Sequence, residues 1–275
     1  MPKTILVHLD ASDQCGQRLA AARALAARHQ ATVECLYAVM PSALQVSFAD
    51  VAKAGAGAGL RPADDERRAK ARAAFDKAVA EGLPGRWLDP LEDLSLRGFV
   101  RQAWYSDLVV VGQHQADDAG ESGVPADFVE TLMMDSGRPV LAIPYIGMRS
   151  PPGDVIMIAW KESRETARAV AAALPQLKAA SRVHVVTWMD EASGSGQRYP
   201  LLGEQLRRHG IDVRQHNYGP EPGDVGAYML SAAADLGADT IVMGGYGTSR
   251  AREWVLGGAT RTILRSMTVP VLLVH

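Results

Sequence analysis

The last 37 residues, Asp239 to His275, read DTIVMGGYGTSRAREWVLGGATRTILRSMTVPVLLVH, and this stretch decides the fold. A β-branched, apolar run (Thr240 to Met243) enters a glycine-rich turn at Gly244, Gly245 and Gly247. A segment of helical period then begins at a second glycine pair, Gly257 and Gly258. The order is strand, loop, helix. Glycines let a backbone bend tightly, and the free N–H groups of a helix start, Ala259 among them, converge where the helix dipole favours negative charge. Such a loop can cradle a phosphate. The same glycines also read as a tight turn followed by close helix packing.

Working outward, the pattern that leads into this stretch occurs twice. VIMIAWKES (155–163) echoes ILVHLDAS (5–12), and RVHVVTWM (182–189) echoes TVECLYAV (32–39). DTIVMG (239–244) echoes DLVVVG (107–112), and PVLLVH (270–275) echoes PVLAIP (139–144). Four blocks in one order are an internal duplication. The expected domains are 1–146 and 153–275, joined by a Gly, Ser and Pro linker. The first copy is longer between its second and third blocks, so the loop-like stretch 41–63 is an insertion. Its Ala/Gly run 52–59 has few side chains to pack and is expected to be mobile, placed to act as a lid over the first copy's cleft.

Between the strands lie helical patterns: an alanine-rich one ending near His29, one opening at Asp64-Asp65-Glu66 and closing at Gly82, others near 92–105 and 126–136, a second alanine-rich one following 155–163, one ending near His209 and one near 223–236. A short weak strand is expected at 86–89 and a further strand at 211–217. Strand and helix alternating in this way predict an α/β fold of two tandem five-stranded parallel sheets, Rossmann-like, with right-handed crossovers. Ligands of such sheets bind beyond the C-terminal strand ends, where strand order reverses. That rule brings Asp10 near Gly112 in the first copy and Lys161 near Gly244 in the second.

The spacing Gly244-x2-Gly247-x9-Gly257 resembles the nucleotide-binding signature of the universal stress protein family, in which a Ser or Thr follows the third glycine. Gly258 stands at that hydroxyl position, so one side-chain donor is missing. The resemblance covers the whole chain, as a tandem, two-domain member. It implies strand order 3-2-1-4-5, an ATP-like adenine nucleotide as ligand, and a cytoplasmic stress-response role exercised by binding and signalling. It further implies dimer-like pairing: an intrachain pseudo-dimer through the last strands of each half about a pseudo-two-fold axis, with a homodimer of whole chains as a further assembly. Asp10 matches the family carboxylate that contacts the adenosine end of the ligand. It reads equally as a turn or N-cap carboxylate.

The two copies depart from the pattern in opposite ways. The first keeps Asp10, but Gln115 stands for the second glycine, Ala126-Asp127 replaces the Gly and hydroxyl pair, and Asp117, Asp118, Glu121 and Asp127 crowd the loop. Each such carboxylate opposes a phosphate by on the order of a kcal/mol in a surface cleft. The second copy keeps its glycines and adds Arg250, Arg252 and Arg261, which also read as a solvated helix face. There Lys161 replaces the aspartate; it contacts a phosphate or stays in solvent. Phosphate is therefore expected on Gly244, Gly247, Gly257, Gly258 and Ala259 of the second copy.

The rest of the chain narrows the alternatives. Twenty-nine basic against 31 acidic residues, a net charge of −2, leave no electrostatic footprint for nucleic acid or an anionic membrane. No run approaches the ~18 apolar residues of a membrane span. Cys15 and Cys35 show no metal spacing and read as reduced thiols; a helix start would make Cys15 the more reactive. His8 reads as a core histidine. His114 with the neighbouring acids matches no metal-ligand spacing, and an exposed acidic loop explains it. No nucleophile elbow, P-loop or zinc-helix motif is present, so no catalytic residue is assigned. Three functions remain: nucleotide-binding signalling protein, nucleotide-free interaction scaffold, or slow ATPase or phosphotransferase.

Overall fold

A computed structural model of the chain describes residues 1–40, 60–89, 95–115, 122–188, 199–219, 223–245 and 258–275. The Ala/Gly run 52–59, and with it the expectation of a mobile lid, lies outside the described residues. Ten strands and eight helices alternate among the described residues. By packing, the chain divides into two compact units, Pro2–Arg138 and Pro139–His275, with Met1 grouped with the second.

The first unit contains β1 (Thr4–Leu9), α1 (Cys15–His29), β2 (Thr32–Tyr37), α2 (Leu60–Ala80), β3 (Gly85–Leu88), α3 (Leu96–Ala103), β4 (Leu108–Gly112) and α4 (Phe128–Asp135). Its strand order is β3-β2-β1-β4, all parallel. β1 and β4 are apolar at almost every position because helices cover both faces, and Ile5, Leu6, Val7, Val109, Val110 and Val111 are fully buried. Each such side chain contributes roughly 1.5–3 kcal/mol relative to exposure. α2 begins four residues before the acidic cluster that was expected to open it; Pro62 falls in its first turn, where a proline forfeits no helical hydrogen bond. Gly82 ends that segment at φ 93°, the left-handed conformation that favours glycine.

The second unit contains β5 (Val140–Ile143), β6 (Val155–Ala159), α5 (Arg164–Ala179), β7 (Arg182–Thr187), α6 (Tyr199–Arg208), β8 (Val213–Asn217), α7 (Val225–Asp235), β9 (Thr240–Gly244), α8 (Gly258–Ser266) and β10 (Val271–Val274). Its order is β5-β10-β9-β6-β7-β8. β6 to β10 thus realise order 3-2-1-4-5 for the second copy. β5, the last strand of the first copy, pairs antiparallel with β10: Val140 opposite Leu273, Leu141 opposite Leu272, Ala142 opposite Val271. The apolar last strands of the two copies therefore meet, as expected from the cost of leaving such an edge unpaired.

The repeated aspartate before β4 and β9 has a structural task. Asp107 Oδ2 accepts from the backbone N–H of Lys3 (2.7 Å) and Thr4 (3.0 Å). Asp239 accepts from Gly153, Asp154 and Val155 at 2.6, 2.9 and 2.8 Å. Both clamp the start of the central strand beside which the fourth strand lies. The register that follows, Val7 beside Val110 and Ile158 beside Val242, runs on to set Leu9 by Gly112 and Trp160 by Gly244, with Asp10 and Lys161 one residue beyond at the C-terminal strand ends.

Candidate functional site

In the first unit the strand end is filled by protein. Asp10 follows β1 and is 4% exposed; its Oδ1 accepts from Ser12 N (2.9 Å), Ser12 Oγ (2.5 Å) and Arg18 Nη2 (2.6 Å). Arg18 lies on the buried stripe of α1 with Cys15, Leu19, Ala22 and Leu25, and is itself 2% exposed. Its guanidinium passes across the end of β4: a Cβ built on Gly112 would stand 2.5 Å from Arg18 Nη1. Gly112 is thus required by the arginine that covers it. Burial alone would raise the Asp10 carboxyl, but the Arg18 charge, His8 and the Ser12 hydrogen bond outweigh it and hold the carboxyl at about 2.

Behind this pair sits His8, 1% exposed, edge-on to Phe99 and tilted against Phe128, with Nε2 2.6 Å from the Ala38 carbonyl oxygen. Its reading as a core histidine stands. Burial lowers its pKa to about 4, against the pull of Asp10. Cys15, beside the same cluster, is buried, and burial pushes its thiol up, so desolvation outweighs any lowering by the helix start. Cys35 is also free and buried. In the following loop Gln115 is half-buried, Asp127 is exposed before α4 and makes no side-chain cap, and Asp117, Asp118 and Glu121 lie outside the described residues.

The second unit is built differently at the equivalent place. Lys161 is exposed. Ser163 caps α5, accepting from Thr166 N at 3.2 Å. The start of α5 presses directly on the end of β9: a Cβ on Gly244 would lie 2.5 Å from Thr166 N, 2.6 Å from the Glu165 carbonyl carbon and 2.9 Å from Glu165 Cβ. Here glycine permits a backbone-to-backbone approach. Gly245 N donates to Val274 O (2.8 Å), and its carbonyl lies 3.2 Å from His275 Nδ1. Gly258 opens α8, exposed, with no atom within 4 Å of a built Cβ; Ala259 follows half-buried and Arg261 points to solvent. Gly247, Gly257, Arg250 and Arg252 lie outside the described residues.

Two residues of this geometry were not singled out from sequence. Arg18 left a legible trace, an arginine at helical spacing within an apolar stripe. Glu165 left none. It is 4% exposed in the first turn of α5 beside Gly244, and its Oε2 is buried with no hydrogen-bond partner. Its own backbone N–H, with the Ser163 hydroxyl and the charges of Arg164 and His275, holds the carboxyl below its usual range despite burial. Among the described residues no group of three His, Cys, Asp or Glu is placed to hold a metal ion. No helix among them is long and apolar enough to cross a membrane.

The sequence pattern of the universal stress protein family matches residues 1–143 and again 154–275. The chain belongs to the universal stress protein family. Its fold is similar to that of a universal stress protein from Archaeoglobus fulgidus DSM 4304, at 17% identity and TM-score 0.71, over 98% of this chain and 95% of that one. It is also similar to a functionally unknown protein from Pseudomonas aeruginosa PAO1, at 17% identity and TM-score 0.59, over 99% of this chain and 92% of that one. At such identity the likeness establishes the fold of this tandem family member. Among curated proteins nothing matches the chain.

Proposed function

We propose that this universal stress protein is a cytoplasmic stress-response protein that binds an ATP-like adenine nucleotide and acts by binding and signalling. The phosphates rest on the second copy at Gly244, Gly247, Gly257, Gly258 and Ala259. Residues 1–146 and 153–275 act as the two domains, and one strong site per chain is expected. The observation that carries the reading is the contrast between the two strand ends. The first is occupied by the buried Asp10–Arg18 pair under Gly112, whereas the second keeps Gly244 against the backbone and opens α8 with an uncrowded glycine. Helix-start N–H groups at Gly258 and Ala259 supply donors for an anion. Asp10 is buried with its Oδ1 engaged by Arg18 and Ser12, so in this reading it positions the first copy's strand end and the adenosine contact falls to the second copy, with Lys161 at the rim.

A nucleotide-free scaffold is the second reading, favoured by Lys161, which cannot accept a hydrogen bond from ribose or an adenine amino group. Titration calorimetry with ATP decides. Gly247→Val adds a branched side chain where the backbone must meet phosphate and should abolish binding, and Gln115→Val in the first copy should leave it unchanged. Two equal sites per chain, or binding lost with the Gln115 change and kept with the Gly247 change, would overturn the assignment. No binding by the unaltered protein would favour the scaffold.

A further inference from the structure

We propose that the nucleotide held by the second copy carries a further phosphate on its ribose, at the 2′ or 3′ oxygen, and that Lys161 is the side chain that recognises it. The inference rests on the nucleotide reading above and adds to it the class of nucleotide bound. Strand order reverses between β6 and β9: the chain runs outward from β6 to β7 and β8 on one side and from β9 to β10 on the other. The crevice at the C-terminal ends of those two strands is where such a sheet takes its ligand. On the β10 side the loop after β9 is already held, since Gly245 N donates to Val274 O at 2.8 Å and the Gly245 carbonyl lies 3.2 Å from His275 Nδ1. A nucleotide whose phosphates rest on the glycines after β9 therefore extends the other way, across the end of β6. Neighbouring strands lie about 4.8 Å apart, one step along a nucleotide from 5′-phosphate to ribose, so the ribose comes to lie over the residues that follow β6, Trp160 and Lys161.

The charge at that place decides which ribose fits. A carboxylate accepts hydrogen bonds from free ribose hydroxyls, whereas a cation suits a ribose phosphate, and α/β dinucleotide sites separate their two classes of cofactor in this way. The first copy has Asp10 there, paired at 2.6 Å with the buried Arg18. Aligning Ser12 with Ser163 puts Lys161 at the place of Asp10 and the fully buried Ala169 at the place of Arg18. Both partners of the ion pair are thus exchanged together, and the second copy sets an exposed ammonium at the strand end. Its neighbours do not add a general positive field: Glu162 is exposed beside it, and the exposed Arg164 has Nη2 4.0 Å from Glu165 Oε1. Discrimination therefore comes from the place of Lys161, since an ammonium acts strongly only on a phosphate within a few ångströms of it and solvent screens the rest.

The test uses the full chain, as unaltered protein, Lys161→Met and Lys161→Arg, with melting temperatures to confirm folding. Titration calorimetry measures 5′-AMP, ADP, ATP, adenosine 2′,5′-bisphosphate and adenosine 3′,5′-bisphosphate. The unaltered protein should bind one of the two bisphosphates about tenfold or more tighter than AMP, and the one preferred identifies the ribose oxygen. Lys161→Met should cut that preference to about twofold or less, and Lys161→Arg should keep most of it. ADP carries the same added phosphate at the 5′ end, so its affinity should change by less than about twofold in Lys161→Met. Bisphosphates no tighter than AMP in the unaltered protein, a preference retained in Lys161→Met, or an equal loss of ADP and bisphosphate in that variant overturns the ribose-phosphate assignment. In each of those cases the binding of AMP, ADP or ATP leaves the nucleotide reading standing. Binding of none of the five overturns both.

Discussion

Replacing Arg18 by methionine tests the claim that the first copy's strand end is closed by a buried ion pair. Methionine keeps an unbranched apolar stem at this buried position of α1 and removes the guanidinium. Asp10 titrates near 3.8 when free and at about 2 in the fold, which corresponds to roughly 2–3 kcal/mol of native-state stabilisation at neutral pH. The sign is that of a depressed carboxyl: the contribution is complete above pH 3.8 and is lost as pH falls through 2. Without Arg18 this contribution disappears and the carboxylate is left buried with the Ser12 hydrogen bonds alone, so the total cost at pH 7 should reach roughly 3–5 kcal/mol. The loss should be confined to the first unit. Urea unfolding followed by hydrogen exchange resolved along the chain measures it: amides of β1, β2 and β4 lose protection while those of β6, β7 and β9 keep theirs. Adding Asp10→Asn to Arg18→Met should restore much of the loss, since the unpaired charge is gone. A cost below about 1 kcal/mol, or no recovery in the double variant, would refute the reasoning.

Two further outcomes follow from the same geometry. His8 is buried with its pKa lowered from 6.5 to about 4, so the unfolded chain binds the extra proton first, and the first unit should lose about 3 kcal/mol as pH falls from 6.5 to 4. Urea midpoints against pH should show that slope in the unaltered protein and lose it in His8→Asn; a flat profile in the unaltered protein would contradict the assignment. Gly258 has open space around a built Cβ, so Gly258→Ser should fold normally and add one hydroxyl donor at the family's Ser or Thr position. ATP should then bind more tightly by about 1 kcal/mol, roughly fivefold, in calorimetry; weaker binding would place the phosphates elsewhere.

What the sequence determined by itself is the architecture. Apolar runs such as ILVHL and TIVMG, recurring in one order with helical segments between them, fix two parallel α/β copies, because a strand buried on both faces must be apolar at nearly every position. The apolar last strands PVLAI and PVLLV announced their pairing, since an unpaired apolar edge is costly, and Asp10, Gly112, Lys161 and Gly244 fell at the strand ends by register alone. The differing fate of the two sites came only from the tertiary structure. Gly112 and Gly244 occupy equivalent positions and look identical in sequence, yet one faces the arginine that fills its strand end and the other faces the backbone of Glu165 and Thr166. Asp10 read equally as a ligand contact and as a turn carboxylate, and its Oδ1 is engaged by Arg18 and Ser12. Cys15 read as a reduced thiol near a helix start, and burial holds it protonated. Each of these outcomes depends on distances of a few ångströms between residues far apart in the chain, and on the cost of removing charge from water there, neither of which is written in local spacing.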